Sequence, residues 1–298
     1  MRVGAIDIGT NSTRYLLADV TRDGKVTRVE TGLKTTRLGE EITTGRLTEQ
    51  AMARTVAAVA EFWRRAQKMG AHRVVAFATC AVREAQNRDD FVRLISQTTG
   101  LELRVLSGKE EAYHTLIGVL TGLSIDLEKV AVVDVGGGST EFVWTKNGRL
   151  YTGSVPLGAV RLTEEGSGLA AAEALLRPVC RLITGRTIVG TGGTITTLAS
   201  VAQGLTVYDP ERVHGFQLQP HEVAGLLSRL SGLSLAERKF LPGLQPERAD
   251  IIIAGVQIVV AILNCSAASM LIVSENDILY GMALEAAGAV EIKLANQG

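Results

Sequence analysis

The chain has 298 residues, 46% of them hydrophobic, and its 31 basic and 31 acidic residues cancel. That length asks for two domains rather than one ordinary core, and zero net charge excludes a whole-molecule field that would draw in DNA or a membrane surface. Three isolated cysteines, Cys80, Cys180 and Cys265, form no C-x-x-C pair and fit buried small residues in a reducing compartment. With no signal-peptide pattern at the start, a soluble cytoplasmic protein is expected.

The first strand, over residues 3–8, runs into Asp7-Ile8-Gly9-Thr10-Asn11-Ser12-Thr13 and leaves as a second strand over 15–20. Asp23-Gly24 makes a hairpin into a third, over 25–30. A helix is expected over 48–68, with Val56, Val59, Phe62, Trp63 and Ala66 on its core face and Arg54, Glu61, Arg64 and Arg65 wet. A strand (72–78), a helix (88–98) and a strand (101–106) follow. Ser107-Gly108-Lys109-Glu110 then fits a capping box, with Glu110 reaching back to the Ser107 amide. The helix it opens runs to about residue 120, and its cap leaves the Glu111 carboxylate unused.

The opening pattern then returns. Asp134-Val135-Gly136-Gly137-Gly138-Ser139-Thr140 lies between strands over 130–135 and 142–144, and Asn147-Gly148 leads to a strand over 150–152. The repeat therefore spans a whole β-meander. Beyond it, helices are expected over 169–184, 195–201, 220–230, 235–240 and 246–267, then a strand over 270–273 and a final helix to about 294. The apolar run 251–263 is broken by Gln257 and too short to span a bilayer, so it reads as a buried helix. Alternating strands and helices give an α/β class with layered sheets. The boundary falls near 118–127, giving domains 1–120 and 121–298, with the terminal helix free to pack back on the first.

Each repeated turn suits a phosphate. Glycine lets the backbone approach an anion closely, successive N–H groups form an anion-binding concavity, and hydroxyls add donors. Gly9, Thr10, Asn11 and Ser12 in the first copy, and Gly136, Gly137, Gly138, Ser139 and Thr140 in the second, are the expected phosphate ligands. Asp7 and Asp134 cannot bind phosphate themselves, but they can bind a hard cation that does. A third small-residue turn, Gly190-Thr191-Gly192-Gly193-Thr194, leads from a strand into a helix whose free N–H groups suit an anion or a nucleotide; Gly192, Gly193 and Thr194 are expected to line a far wall. It fails the dinucleotide pattern, which wants glycine where Ile195 stands. No Walker A loop, H-E-x-x-H or G-x-S-x-G is present, which argues against a zinc or serine hydrolase.

The segments AIDIGTNSTR, TCAVREAQN, GKEEAY, VVDVGGGSTEF, VGTGGTITTLA, YDPERVHG and PERADIIIAG together resemble the exopolyphosphatase/guanosine pentaphosphate phosphatase family, within the superfamily of sugar kinases and actin-like ATPases. The resemblance covers essentially the whole chain. It implies two actin-like (ribonuclease H-like) domains, with mixed sheets flanked by helices, an interdomain cleft and domain closure that excludes water. Longer members carry further C-terminal domains, so this would be the short, two-domain form. The implied reaction is Mg²⁺-dependent (or other divalent cation-dependent) hydrolysis of a terminal phosphoryl group from polyphosphate or guanosine pentaphosphate. By match to the family's motifs, Glu111 would be the catalytic base that positions the attacking water, Asp134 would hold the metal, Glu141 would orient water or metal, and Asp7 would face the metal from the first copy. Arg83 matches the family's arginine motif and could grip phosphate bidentately. Arg14 and Lys109 are weaker candidates for the polyanion path. The family often forms homodimers.

One stretch departs from the family. Many members read Ser-Asp-x-Gly-Leu-Arg-x-Gly, whereas this chain has Ser274-Glu275-Asn276-Asp277-Ile278-Leu279-Tyr280-Gly281, with an arginine missing and an aspartate gained. The competing functions are an exopolyphosphatase, a guanosine pentaphosphate 5′-phosphatase with the same chemistry, a kinase of the same superfamily, and a non-catalytic sensor of polyphosphate or alarmone.

Overall fold

The computed structural model describes residues 1–290. The described residues divide into two compact units: the first is Met1–Thr121 with residues 277–290, the second Gly122–Asn276.

In the first unit, β1 (Arg2–Ile8), β2 (Thr13–Val20), β3 (Val26–Lys34), β4 (Arg73–Ala78) and β5 (Leu103–Val105) form one sheet ordered β3-β2-β1-β4-β5. β1 runs antiparallel to β2 and parallel to β4. The side-chain period of two sends Ile6 and Ile8 to one face and Val3 and Ala5 to the other, and both faces are covered, so β1 reads as a nearly continuous apolar run. Phe62 of α1 (Glu49–Lys68) and Phe91 and Ile95 of α3 (Arg88–Thr99) pack with Ile6 and Ile8. The short α2 (Cys80–Glu84), unforeseen from sequence, adds to that side. Ile117 of α4 (Gly108–Leu120) and Met282, Ala283 and Leu284 of the last helix (Ile278–Ala286) pack on the Val3 and Ala5 face. By the same period Asp7 joins Val3 and Ala5, and Arg14 joins Leu16 and Ala18, on this second face.

α4 and the last helix approach backbone to backbone. A Cβ added at Gly281 would stand 2.1 Å from the His114 carbonyl oxygen, and one at Gly118 would stand 1.7 Å from the Asp277 oxygen. Glycine is required at both places because no side chain fits.

The second unit repeats the plan. β6 (Val130–Val135), β7 (Thr140–Lys146), β8 (Arg149–Val155), β9 (Thr187–Thr191), β10 (Gln217–Leu218) and β11 (Leu271–Val273) are ordered β10-β11-β9-β6-β7-β8. Without the edge strand β10, the sequence β8-β7-β6-β9-β11 corresponds strand for strand to β3-β2-β1-β4-β5. Equivalent residues share registers: Asp7 lies opposite Arg14 and Phe77, and Asp134 opposite Glu141 and Thr191. The helices are α5 (Ala159–Glu164), α6 (Leu169–Cys180), α7 (Gly193–Ala202), α8 (Pro210–Val213), α9 (Pro220–Ser231), α10 (Leu235–Arg238) and α11 (Ile252–Ser266); Ile278–Ala286 is α12. α11 contains most of the expected apolar run and is buried nearly all round. No described helix is long and apolar enough to cross a membrane.

Several expected boundaries shift. The helix expected over 246–267 is a 3-10 turn, Pro246–Arg248, followed by α11. That expected over 169–184 stops at Cys180, ahead of Gly185 at φ 73°. α5, α8 and β10 were not foreseen. α12 ends at Ala286, before Gly288 at φ 69°; the last residues assigned to it from sequence, 291–294, lie outside the described residues.

Candidate active site

The two meander turns are closed in the same way. The Gly9 amide donates to the Ser12 carbonyl at 3.0 Å, and the Gly136 amide donates to the Ser139 carbonyl at 3.0 Å. These two amides are consumed by the turn, which corrects the expectation that Gly9 and Gly136 donate to a ligand. The amides of Thr10, Asn11 and Ser12, and those of Gly137, Gly138 and Ser139, donate to no acceptor among the described residues. Each turn thus presents three successive N–H groups, the arrangement that binds an anion.

Both turns are tied back through their carbonyls. The Gly39 and Arg37 amides donate to the Thr10 and Asn11 oxygens, each at 2.8 Å. In the second unit the first turn of α5 does this: the Ala159 amide donates to Gly136 O at 3.0 Å and the Val160 amide to Gly137 O at 2.8 Å, and Arg161 Nε reaches Gly138 O at 2.9 Å. A Cβ at Gly158 would stand 2.3 Å from the Gly137 carbonyl carbon, so glycine there permits the bracing contact. The Thr140 hydroxyl donates to Leu157 O at 2.6 Å with the residue fully buried, so it braces the turn as well.

Beside the first turn, Asp7 and Arg14 meet across the hairpin: Arg14 Nε donates to Asp7 Oδ2 at 3.0 Å, while Nη1 pairs with Asp277 at the start of α12. The second oxygen, Asp7 Oδ1, is buried and has no hydrogen-bond partner among the described residues. Burial pushes the Asp7 carboxyl up, Arg14 opposes the rise and Asp277 adds to it. Arg14, a candidate for the polyanion path, is held by two carboxylates.

α4 starts as its capping box dictates. The Ser107 amide donates to Glu110 Oε2 at 2.8 Å and the Glu110 amide to Ser107 Oγ at 3.3 Å. Glu110 also pairs with Arg104. The cap leaves Glu111 unused, as expected, yet Glu111 is not solitary: its Oε2 pairs with Arg83 Nη1 at 2.8 Å, and the same nitrogen donates to Leu106 O at 2.9 Å. The side chains are 10% and 21% exposed, so this pair is largely withdrawn from water. Glu111 and Arg83, both nominated from sequence, are therefore in contact.

In the second unit, Asp134 and Glu141 oppose each other on β6 and β7, both buried, and Ser154 Oγ donates to Glu141 Oε1 at 2.9 Å. The third turn closes on them: Gly192 has φ 91°, and a Cβ there would stand 2.6 Å from Asp134 Oδ1. Gly193 begins α7, and the Arg248 guanidinium lies where its Cβ would be, at 1.9 Å. Thr194 turns inward, its hydroxyl 2.4 Å from where a Gly255 Cβ would stand. Arg248 and Asp277 were missed as site neighbours. Asp277 had a legible sign as an N-cap, its Oδ1 accepting from the Leu279 amide at 3.1 Å; Arg248 had none, because a helix over 246–267 would have given it no special position. His214 accepts from the Glu275 amide at 3.1 Å, a structural bond.

No group of three His, Cys, Asp or Glu side chains arranged for a metal occurs among the described residues. Mg²⁺ needs no such cage, because it keeps waters and takes one or two carboxylates with the substrate's phosphates. Within the second unit the Asp134–Glu141 pair fits that demand, and within the first unit the orphaned Asp7 Oδ1 does so by itself.

Paired sheets of matching order, each with a carboxylate-led amide turn at the end of its first strand, define a phosphoryl-handling enzyme of the actin-like class. The chain belongs to the Ppx/GppA phosphatase family, which it matches over residues 17–287, and it is a phosphatase of that family. It is 34% identical over 315 residues to exopolyphosphatase 2 of Mycobacterium tuberculosis (strain ATCC 25618 / H37Rv), covering 96% of this chain and 99% of that one. The structure of the Aquifex aeolicus Ppx/GppA family member superposes with a TM-score of 0.80 at 30% identity, covering 98% of this chain and 99% of that one. An exopolyphosphatase from Cytophaga hutchinsonii superposes with a TM-score of 0.86 at 23% identity, covering 97% and 98%, a likeness of fold.

Proposed function

We propose that this phosphatase is an exopolyphosphatase, releasing orthophosphate from the end of inorganic polyphosphate. The observation that carries the reading is the withdrawn Glu111–Arg83 pair, in the unit whose first turn offers three unpartnered amides. The likeness to exopolyphosphatase 2 over nearly the full length of both chains supports polyphosphate as the substrate.

Phosphoryl transfer to water asks the protein mostly to position groups and neutralise charge. Glu111 accepts a proton from water as its oxygen bonds to the terminal phosphorus; the bridging P–O bond breaks and its electrons leave with the shortened chain. Arg83 fixes the Glu111 carboxylate through Nη1. The amides of residues 10–12, in the same unit as Glu111, donate to phosphate oxygens as charge gathers on them, and those of residues 137–139 offer a phosphate the same arrangement within the second unit. A divalent cation, for which Mg²⁺ is the best fit, would be held within the second unit by Asp134 with Glu141 and would neutralise phosphate charge; within the first unit Asp7 offers one further carboxylate oxygen to a cation.

Orthophosphate release from polyphosphate and from guanosine pentaphosphate, with and without Mg²⁺, tests this directly. Turnover of polyphosphate that requires the cation is expected. Turnover of the nucleotide alone would make the protein a guanosine pentaphosphate 5′-phosphatase, and binding of either without release would make it a sensor.

A further inference from the structure

The Arg14 guanidinium lies on the strand that leaves the first phosphate turn, two residues beyond Ser12, where a free cation would grip a polyanion. It is not free to do so. Nε and Nη2 both point at Asp7 Oδ2, and Nη1 points at Asp277 Oδ2. Asp277 is 5% exposed, and its other oxygen caps α12, so its position is fixed by the helix it starts. Two carboxylates around one guanidinium leave the cluster with a net charge of −1 on formal charges. The Arg14 side chain remains 23% exposed, so an anion could reach it once released.

We propose that Asp277 is a specificity-determining residue that withholds Arg14 from the phosphate chain and so sets the affinity for polyanions. The inference rests on the first unit's turn being a phosphate site, as the exopolyphosphatase reading requires. Its effect is on uniform binding. An extra cation gripping every phosphate equally would lower KM without raising kcat, and would slow departure of the shortened chain. With Arg14 withheld, discrimination falls to the turn amides, which fit a phosphate group rather than a charge. The gain of an aspartate in the 274–281 stretch thereby acquires a function in the neighbourhood of the first turn.

Binding of inorganic tripolyphosphate to the full chain, by calorimetry at fixed ionic strength, tests this without requiring turnover. Asp277→Asn keeps a capping oxygen but turns an amide toward Arg14, and is expected to bind tripolyphosphate about three- to tenfold more tightly. In an Arg14→Gln background the same substitution is expected to change affinity less than about twofold. If Asp277→Asn folds poorly, Asp277→Ser offers another capping side chain and the same expectation. In steady state, KM for polyphosphate should fall while kcat stays level or drops, which a purely structural role would not produce. Unchanged or weaker binding by a folded Asp277 variant, or an equal gain in both backgrounds, would overturn the proposal. Failure of the wild-type chain to release orthophosphate from polyphosphate would refute the exopolyphosphatase reading instead, and leaves the binding comparison intact.

Discussion

Glu111 and Arg83 meet at 2.8 Å, one on the first turn of α4 and the other on the five-residue α2. The carboxylate proposed to take a proton from water thus has its orientation set by a guanidinium that is itself anchored on the Leu106 carbonyl. Removing the anchor should misplace the base rather than delete it. Arg83→Met is therefore expected to lower kcat for polyphosphate hydrolysis about 10²-fold, with a smaller change in KM. A steady-state comparison checks it, and an effect on KM alone would assign Arg83 to substrate binding.

The two copies of the meander differ at one informative register position. Opposite the aspartate stands Arg14 in the first unit and Glu141 in the second. The second copy therefore brings two carboxylates to one register position, the arrangement proposed above to hold a cation. Glu141→Gln should raise the Mg²⁺ concentration giving half-maximal activity by about tenfold or more, while the thermal midpoint without metal changes little. Mg²⁺ titrations of rate for both proteins measure it.

His114 is fully buried on α4, with Nδ1 2.7 Å from the Glu110 carbonyl and Nε2 3.0 Å from Glu285 on α12. The hydrogen bond from His114, assisted by Arg104, holds the Glu285 carboxyl down at about 2 against the opposing effect of burial. A carboxyl lowered on folding contributes stability above its unfolded pKa of about 4.3, and that contribution fades as pH falls through the interval down to about 2. Thermal midpoints of the wild-type chain should therefore drop between about pH 5 and pH 2 more steeply than those of Glu285→Gln. At pH 7 that variant should be less stable by about 1–3 kcal/mol.

The contact between α4 and α12 is made at Gly118 and Gly281, where an added Cβ would overlap backbone oxygens at 1.7 and 2.1 Å. Gly281→Ala must push the helices apart, at a cost of about 1–3 kcal/mol. Because α4 carries Glu111, activity should fall more than the folded fraction does. Denaturant unfolding followed beside specific activity separates the two losses.

Much of this was legible in the sequence. The repeated Asp-x-Gly-x-x-Ser-Thr pattern marked both turns and, with Asn147-Gly148, the whole meander, because tight turns demand particular residues. The capping box at Ser107 located α4 and separated Glu110 from Glu111 by chemistry alone. What stayed hidden was long-range or short. Nothing local in Asp277 says that it reaches Arg14, 263 residues away. The six residues of α5 show too little periodicity to be distinguished from loop, yet they brace the second turn. The amide directions of Gly9 and Gly136 depend on turn geometry that glycine permits but does not specify.

The role proposed for Glu111 is that of the base. Orthophosphate release from polyphosphate by Glu111→Gln, with tripolyphosphate affinity measured on the same samples, addresses it most directly. A loss of at least about 10²-fold in kcat with affinity within about tenfold of wild type is expected. Unchanged turnover by the folded variant would contradict it.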